Sequence, residues 1–167
     1  QGKRYLRQRP DDSEIQQVVV HSLIRLGRRD EARQRLEALT DERPNAPTLF
    51  TLGRMAFTDQ KLDEAWAYLN LASELAPHRH DVLSALLAVE HARSGAIAQS
   101  AERIRTALEA RPNDAKLAQL EANAALLEGA VDRAKQGYQR AIRLDPRDFS
   151  AYDALARLFV VTGRRGQ

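Results

Sequence analysis

The sequence contains no cysteine, so disulfide bonds and thiolate chemistry are excluded. It contains no apolar run that approaches the roughly 20 residues needed for a membrane-spanning helix, so we expect no membrane insertion of this segment. Aromatic residues make up only 5% of the chain while alanine is abundant, which is typical of closely packed helices. Hydrophobic residues still account for 43% of the chain, enough for a core.

Neither sign of charge is in large excess, because 26 lysines and arginines face 23 aspartates and glutamates. An arginine-rich chain can bind nucleic acid, but this near balance favours solvated helix faces. We therefore expect no nucleic-acid partner.

The sequence also lacks catalytic motifs. It contains no Gly-x-Ser-x-Gly turn and no glycine-rich phosphate loop. A metal site needs three or four converging ligands, whereas His78 and His80 have only Asp81 near them in the sequence. We expect no enzymatic activity, no bound metal and no cofactor.

Proline recurs at nearly constant spacing along the chain. The intervals between successive prolines of this series are 34, 33, 35 and 34 residues. The series consists of Pro10, Pro44, Pro77, Pro112 and Pro146. Proline cannot continue a helix, and the aspartate or asparagine that follows most of these prolines can cap the next one. Each site therefore predicts the end of one helix and the beginning of another, which indicates an internal repeat.

A second series lies between the prolines and predicts a helix pair in each repeat. Glycine, or glutamine in one repeat, stands 17 residues before the proline position: Gly27, Gln60, Gly95, Gly129 and Gly163. Glycine there marks the turn between two helices. A small, a large and a small residue follow at offsets that place them on one helix face, as with Ala65, Leu69 and Ala72.

This pattern resembles the tetratricopeptide repeat (TPR) family, whose unit is a helix–turn–helix of about 34 residues. The first-helix motif of the family is best kept by Leu49, Leu52-Gly53 and Phe57, and the second-helix motif by nearly every unit. The resemblance implies an all-α, right-handed superhelical solenoid of antiparallel helix pairs. The units are predicted at residues 13–44, 46–77, 81–112 and 115–146.

Both ends of the chain fall inside predicted repeats. Residues 1–10 read as the second helix of a preceding unit, and residues 148–167 as the first helix of a truncated fifth unit. We therefore expect a fragment of a longer array. End-to-end self-association through the apolar faces of truncated repeats is a further expectation.

In the resembled family the first helices line a concave groove that binds a peptide or protein. Carried over position by position, the resemblance predicts these groove residues: Gln17, His21, Phe50, Arg54, Phe57, Val89, Arg93, Gln119, Asn123, Asp153 and Arg157. Phe50, Arg54 and Phe57 share one helix face, and they are of types enriched in interface hot spots. An inward orientation of Phe57, in place of the aromatic that Ala56 lacks, remains open.

The same positions indicate what the groove binds. TPR domains that hold a chaperone C-terminal carboxylate use lysine, asparagine and arginine at positions that this chain fills differently. In the first three units these positions hold Gln17, His21, Thr51, Val82 and Leu86. Val82, Ala85 and Val89 would make the middle of the groove apolar, which favours an amphipathic helix or an extended apolar segment.

The resemblance thus implies a non-catalytic scaffold for protein–protein interaction, within a longer protein. The residue usage looks bacterial, and long bacterial arrays of this kind occur in exopolysaccharide-export or secretion complexes. The alternative is a substrate-presenting TPR region of a larger transferase. No signal peptide is visible and the compartment is undetermined, with the periplasm favoured over the cytoplasm by the export analogy.

Overall fold

The structure is a computed structural model that describes residues 13–163. The predictions for residues 1–10 and for the last four residues of the fifth unit lie outside the described residues. Within that range the chain forms nine helices and no strand. They are α1 (Ser13–Arg25), α2 (Arg29–Glu42), α3 (Ala46–Thr58), α4 (Leu62–Leu75), α5 (His80–Ser94), α6 (Ala98–Ala110), α7 (Ala115–Leu127), α8 (Val131–Leu144) and α9 (Phe149–Gly163).

Each helix packs on its neighbours in the chain, and the pairs stack in sequence order. The first helices of the pairs are α1, α3, α5, α7 and α9, and the second helices are α2, α4, α6 and α8. The predicted all-α solenoid of antiparallel helix pairs is therefore confirmed. None of the helices between residues 13 and 163 has the length and apolar character that crossing a bilayer requires.

The turn inside a pair needs a left-handed backbone conformation. Gly27, Gly95 and Gly129 have φ angles of 75°, 72° and 76° at this turn. Glycine adopts this conformation without a steric penalty because it has no Cβ atom. In the second pair Gln60 takes the same role with a φ angle of 60°, although it is not a glycine.

Side-chain caps begin two of the first helices. The Asn45 side chain accepts a hydrogen bond from the backbone N–H of Thr48 at 3.0 Å, at the start of α3. Asp114 accepts from the N–H groups of Lys116 and Leu117 at the start of α7. Both caps satisfy N–H groups that have no partner within the helix.

Small residues let the two helices of a pair approach closely. A Cβ atom added to Gly53 in α3 would lie 2.6 Å from Leu69 Cγ in α4. A Cβ atom added to Gly137 in α8 would lie 2.7 Å from the Cβ of Ala122 in α7. These glycines are therefore required by contact between helices, and not by their backbone angles.

Helix α5 is longer than the first helices α1, α3 and α7. It has 15 residues, whereas α3 and α7 have 13 each. Six of the buried residues of α3 have buried counterparts in α5 one 34-residue interval later. These are Thr48, Leu49, Leu52, Gly53, Met55 and Ala56 in α3, and Val82, Leu83, Leu86, Leu87, Val89 and Glu90 in α5.

Between the last of these buried residues and the turn, α5 has one residue more than α3, since Gly95 follows Glu90 by five positions and Gln60 follows Ala56 by four. The structure therefore places an additional residue at the C-terminal end of α5. Glu90 is buried at this end of α5, and its carboxylate accepts hydrogen bonds from the N–H groups of Gln99 and Ser100. These bonds cap α6, which has no side-chain cap of its own at Ile97.

Candidate functional site

Three cavities lie along the face formed by the first helices, and together we call them the groove. The first cavity, of about 310 Å³, lies at α1 and α3, the middle one, of about 290 Å³, at α5 and α7, and the last, of about 570 Å³, at α7 and α9. The first cavity is lined by side chains that include His21, Arg29, Phe50, Thr51, Arg54 and Arg79. The middle cavity is lined by His80, Asp81, Ser84, Lys116, Gln119, Leu120, Asn123 and Ser150.

The three cavities are related through the residues that line them. Gln119, Asn123 and Ser150 line both the middle and the last cavity. Arg79, which lines the first cavity, donates two hydrogen bonds to the carboxylate of Asp81, which lines the middle one, at 2.8 and 2.9 Å. One bound segment could therefore contact all three cavities.

The first cavity combines an aromatic ring with cations. The guanidinium carbons of Arg54 and Arg79 lie 5.6 and 5.5 Å from the centroid of the Phe50 ring, within the range of cation–π attraction. Partial burial acts to raise the pKa of Asp81, but the hydrogen bonds and charge of Arg79 outweigh it and hold that pKa below its ordinary value. Asp81 therefore stays ionised and neutralises Arg79.

The arginines that line the groove differ in whether their charge is already neutralised. Arg29 pairs with Asp59 at 2.9 Å, Arg79 with Asp81, and Arg157 with Asp153. Arg54 is exposed and makes no ion pair with any residue in the range 13–163. Its guanidinium is thus free to bind an anion from a partner.

The middle cavity is polar. Lys116 on α7 forms an ion pair with Asp148, just before α9, and its hydrogen bond together with those of Ser150 lowers the pKa of Asp148 to about 2. Ser150 Oγ also lies 2.9 Å from Gln119 Oε1. These contacts bridge neighbouring first helices and leave hydrogen-bonding groups along the groove.

The last cavity has an apolar floor with a polar rim. The floor includes Leu158, which is buried, and Val161, which is exposed. On the rim the buried Tyr138 donates its hydroxyl to Asn123 Oδ1 at 2.8 Å, and burial raises the pKa of this tyrosine. The amide nitrogen of Asn123 adds a hydrogen-bond donor to this rim.

The structure brings together seven of the predicted groove residues. His21, Phe50, Arg54, Gln119, Asn123, Asp153 and Arg157 all line the groove. Phe57 is half-buried and packs against the core cluster that contains Leu86 and Val89, so it follows the inward alternative. The side chain of Gln17 lies outside the described residues.

Two predicted groove residues on α5 are placed elsewhere. Val89 is fully buried and packs in the core with Leu69 and Leu86. Arg93 donates to Asp63 Oδ1 at 2.6 Å and lies over the Trp66 ring on α4. The physical reason is the position of the additional residue, since a shift by one residue turns a helix face by about 100°.

Because of the same shift, the prediction of an apolar surface in the middle of the groove is wrong. Val82 is fully buried, as is Val89, so neither makes an apolar surface in the middle of the groove. Ser84 and Asp81 line the middle cavity instead. Sequence reasoning missed these two residues, although the spacing of Leu83, Leu86 and Leu87 repeats that of Leu49, Leu52 and Gly53 and could have revealed them.

The groove holds no group of three histidine, cysteine, aspartate or glutamate side chains that could bind a metal ion, and neither does the rest of residues 13–163. What the groove offers are amide, hydroxyl and carboxylate groups, the free guanidinium of Arg54 and an apolar cavity. These groups suit binding of a polypeptide segment.

The fold is similar to that of several solved TPR structures. A thermophilic TPR protein of Thermus thermophilus matches with a TM-score of 0.69 and 22% identity, over 90% of this chain and 83% of its own. The chain folds as a TPR array. MamA (residues 41 to the end) of Desulfovibrio magneticus RS-1 matches this array with a TM-score of 0.66 and 18% identity, over 92% of this chain and 86% of its own.

A third similar structure contains a peptide. The first TPR of Spaghetti (RPAP3), bound to the HSP90 peptide SRMEEVD, matches the TPR array with a TM-score of 0.55 and 19% identity, over 71% of this chain and 93% of its own. No family model and no curated protein matches the sequence of the array.

Proposed function

We propose that this TPR array is a non-catalytic scaffold that binds an extended segment of a partner protein in the groove. The observation that supports the proposal most is the row of three cavities along α3, α5, α7 and α9, of which the middle and the last share lining residues. A surface of this length, with hydrogen-bonding groups at each helix, is suited to a chain of amides and not to one small molecule.

The polar groups along the groove suit a peptide backbone. Ser84 on α5, Gln119 and Asn123 on α7 and Ser150 on α9 supply donors and acceptors in succession. Neighbouring packed helices lie about 8–10 Å apart, and an extended chain rises about 3.3 Å per residue. A segment of about ten to twelve residues would therefore cross the groove from α1 to α9, with about three residues per first helix.

The peptide bound to the TPR of RPAP3 supports this class of ligand, because that domain shares the fold of this chain. The identity of 19% carries over no binding residue. The partner must therefore be found with this chain itself.

The wider role that we propose is a part in a bacterial exopolysaccharide-export or secretion complex. It rests on the resemblance to long bacterial TPR arrays. The alternative is a TPR region that presents substrate to a transferase of the same protein. Deletion of the gene segment encoding residues 13–163 in the source organism tests both, since loss of secreted polysaccharide supports export and loss of transfer to a protein or small-molecule acceptor supports the transferase.

Site-specific photo-crosslinking in cells of the source organism tests the binding face. A photoreactive amino acid is placed at Ser84, in the middle of the groove, and in a separate variant at the exposed Gln136 on the second helix α8. We expect a discrete partner protein to be crosslinked from Ser84 and not from Gln136. Both positions are solvent-accessible, so neither substitution should disturb folding.

Equal crosslinking from both positions, or crosslinking from Gln136 alone, would place the binding surface outside the groove. Absence of any discrete adduct from Ser84, with a circular dichroism spectrum that shows a folded array, would reject a groove-bound partner.

A further inference from the structure

The two ends of the groove differ in chemistry. The first cavity is lined by His21 and three arginines and by no acidic side chain, and of these arginines Arg54 has no ion pair within residues 13–163. In the last cavity the charges of Asp153 and Arg157 neutralise each other above an apolar floor. A bound segment therefore meets a cationic environment at α3 and a neutral, apolar one at α9.

We propose that the groove recognises a bipartite segment of a partner protein, with acidic side chains against Arg54 and a large apolar side chain in the last cavity. This inference rests on the proposed function and adds the composition and the direction of the bound segment. The acidic end lies toward α1 and α3, and the apolar end toward α7 and α9.

The acidic half of the segment follows from the state of Arg54. The other arginines of the groove have their charge neutralised by an aspartate, while Arg54 has no ion pair within residues 13–163. The Phe50 ring lies beneath it at 5.6 Å and limits the directions that the guanidinium can take. A carboxylate at this point would gain a charge-assisted hydrogen bond from a preoriented donor.

Protein carboxylates fit this cavity better than nucleic acid. Base stacking requires an open aromatic face, but Phe50 is half-buried and two guanidiniums already contact its ring. The cavity of about 310 Å³ has room for one or two side chains and not for a continuous phosphate backbone. Binding of an oligonucleotide is therefore one of the results that would overturn the proposal.

The apolar half follows from the last cavity. Its volume of about 570 Å³ exceeds that of the other two, and its floor includes Leu126, Leu158 and Val161. Leu126 and Val161 expose 40% and 55% of their surface, so an apolar side chain would remove both from water. The rim supplies Asn123 and Gln119 for the backbone that carries this side chain.

Selection from a random 12-residue peptide library tests the proposal. The peptides are displayed with their C termini fused to the carrier, so that no free C-terminal carboxylate is offered. The full chain is compared with Arg54→Glu, which reverses the free charge, and with Ala154→Trp, which fills the last cavity. The matched controls are Arg143→Glu on α8 and Ala98→Trp on α6, both exposed and outside the groove lining.

We expect the full chain and both controls to select peptides enriched in aspartate or glutamate on one side of a large apolar residue. Arg54→Glu should lose the acidic enrichment, and Ala154→Trp the apolar one. Binding of a selected synthetic peptide should weaken roughly 10- to 100-fold in Arg54→Glu, as expected for loss of a hydrogen bond between charged groups. The same peptide with glutamine in place of glutamate should bind the full chain equally weakly.

Other results would overturn the proposal in distinguishable ways. Selected peptides without acidic enrichment, or with acidic enrichment that persists in Arg54→Glu, would reject the bipartite motif while leaving the scaffold function intact. Binding of a labelled single-stranded oligonucleotide that depends on Arg54 would assign the cationic cavity to nucleic acid. Selection of no peptide above background would reject the scaffold function and the motif together.

Discussion

Gln60 holds a left-handed conformation that glycine holds at the corresponding turns of the other pairs, with a φ angle of 60°. A side chain in this region costs about 1–2 kcal/mol, and the greater freedom of glycine in the unfolded chain offsets part of that cost. We expect Gln60→Gly to raise the free energy of unfolding by up to about 1 kcal/mol, measured by urea denaturation.

The reciprocal variant Gly129→Gln is the control. Its φ angle is 76° and a Cβ atom there would meet nothing within 4 Å, so only the backbone conformation opposes the substitution. It should lower the free energy of unfolding by a similar amount. No change in either variant would mean that the turns impose no conformational strain.

Gly53 is required for a different reason, namely the contact with Leu69. We expect Gly53→Ala to lower the free energy of unfolding by roughly 1–3 kcal/mol, because its Cβ would overlap the Leu69 side chain. Gly163→Ala serves as the control, since a Cβ at that helical position meets nothing within 4 Å. A Gly53→Ala protein as stable as the parent would show that α3 and α4 can separate without cost.

At the scale of the helix, the buried carboxylate of Glu90 on α5 caps the following helix, α6. Glu90→Ala should leave the N–H groups of Gln99 and Ser100 without their acceptor, and an unsatisfied buried donor costs about 1–3 kcal/mol. We expect that loss in urea denaturation, with faster hydrogen exchange at the first amides of α6. Glu109→Ala, at an exposed position of α6 itself, should change neither quantity.

The helix pairs were predicted correctly from sequence, but the groove face of α5 was predicted one residue out of register. Proline and glycine act on the backbone locally, so their spacing predicted where helices begin and end. The groove face of α5 was counted back from the motif of α6, across the end of α5, which is one residue longer than in the preceding pair. Burial of Leu83, Leu86 and Leu87 decided the register, and burial depends on the neighbouring helices.

The pairing of charges was also not predictable, because it depends on residues from different helices. Lys116 and Asp148 are 32 residues apart, and their contact follows from the stacking of pairs. Likewise Arg54 and Arg79 meet at Phe50 only because α3 and the N terminus of α5 adjoin. Most of the candidate groove residues could be predicted from sequence. Which of their charges lacks an ion pair could not be predicted.

The contact between Lys116 and Asp148 joins α7 to α9 and should make stability depend on pH. Hydrogen bonds from Lys116 and then from Ser150 lower the pKa of Asp148 from 3.8 to about 2. Because the pKa is lower in the folded state, the stabilisation is present above pH 3.8 and is lost as the pH falls toward 2.

We therefore expect Asp148→Asn to be less stable than the parent at pH 5, and the difference to disappear near pH 2, in urea denaturation at each pH. Asp132→Asn is the comparison, at an exposed position on α8. A difference between Asp148→Asn and the parent that is independent of pH would contradict a role for the ionised carboxylate.

At the scale of the whole molecule, stability is a sum over neighbouring pairs. Gly53 and Gly137 each permit close contact within one pair, and α5 and α6 lie between those pairs. We expect the effects of Gly53→Ala and Gly137→Ala on the free energy of unfolding to add within about 0.5 kcal/mol in the double variant. A larger coupling energy would show that the array transmits packing changes across an intervening pair.

The additional residue in α5 has a consequence for protein engineering. The glycine turns look like equivalent crossover points at which helix pairs from different TPR arrays could be recombined. A chimera joined at Gly95 would keep the spacing into α6 but would place its first helix one residue out of register, a rotation of about 100°. Crossovers in the linkers before α5 and after α6 would instead transfer Ser84, Glu90 and the turn as one unit, and would keep the binding face continuous.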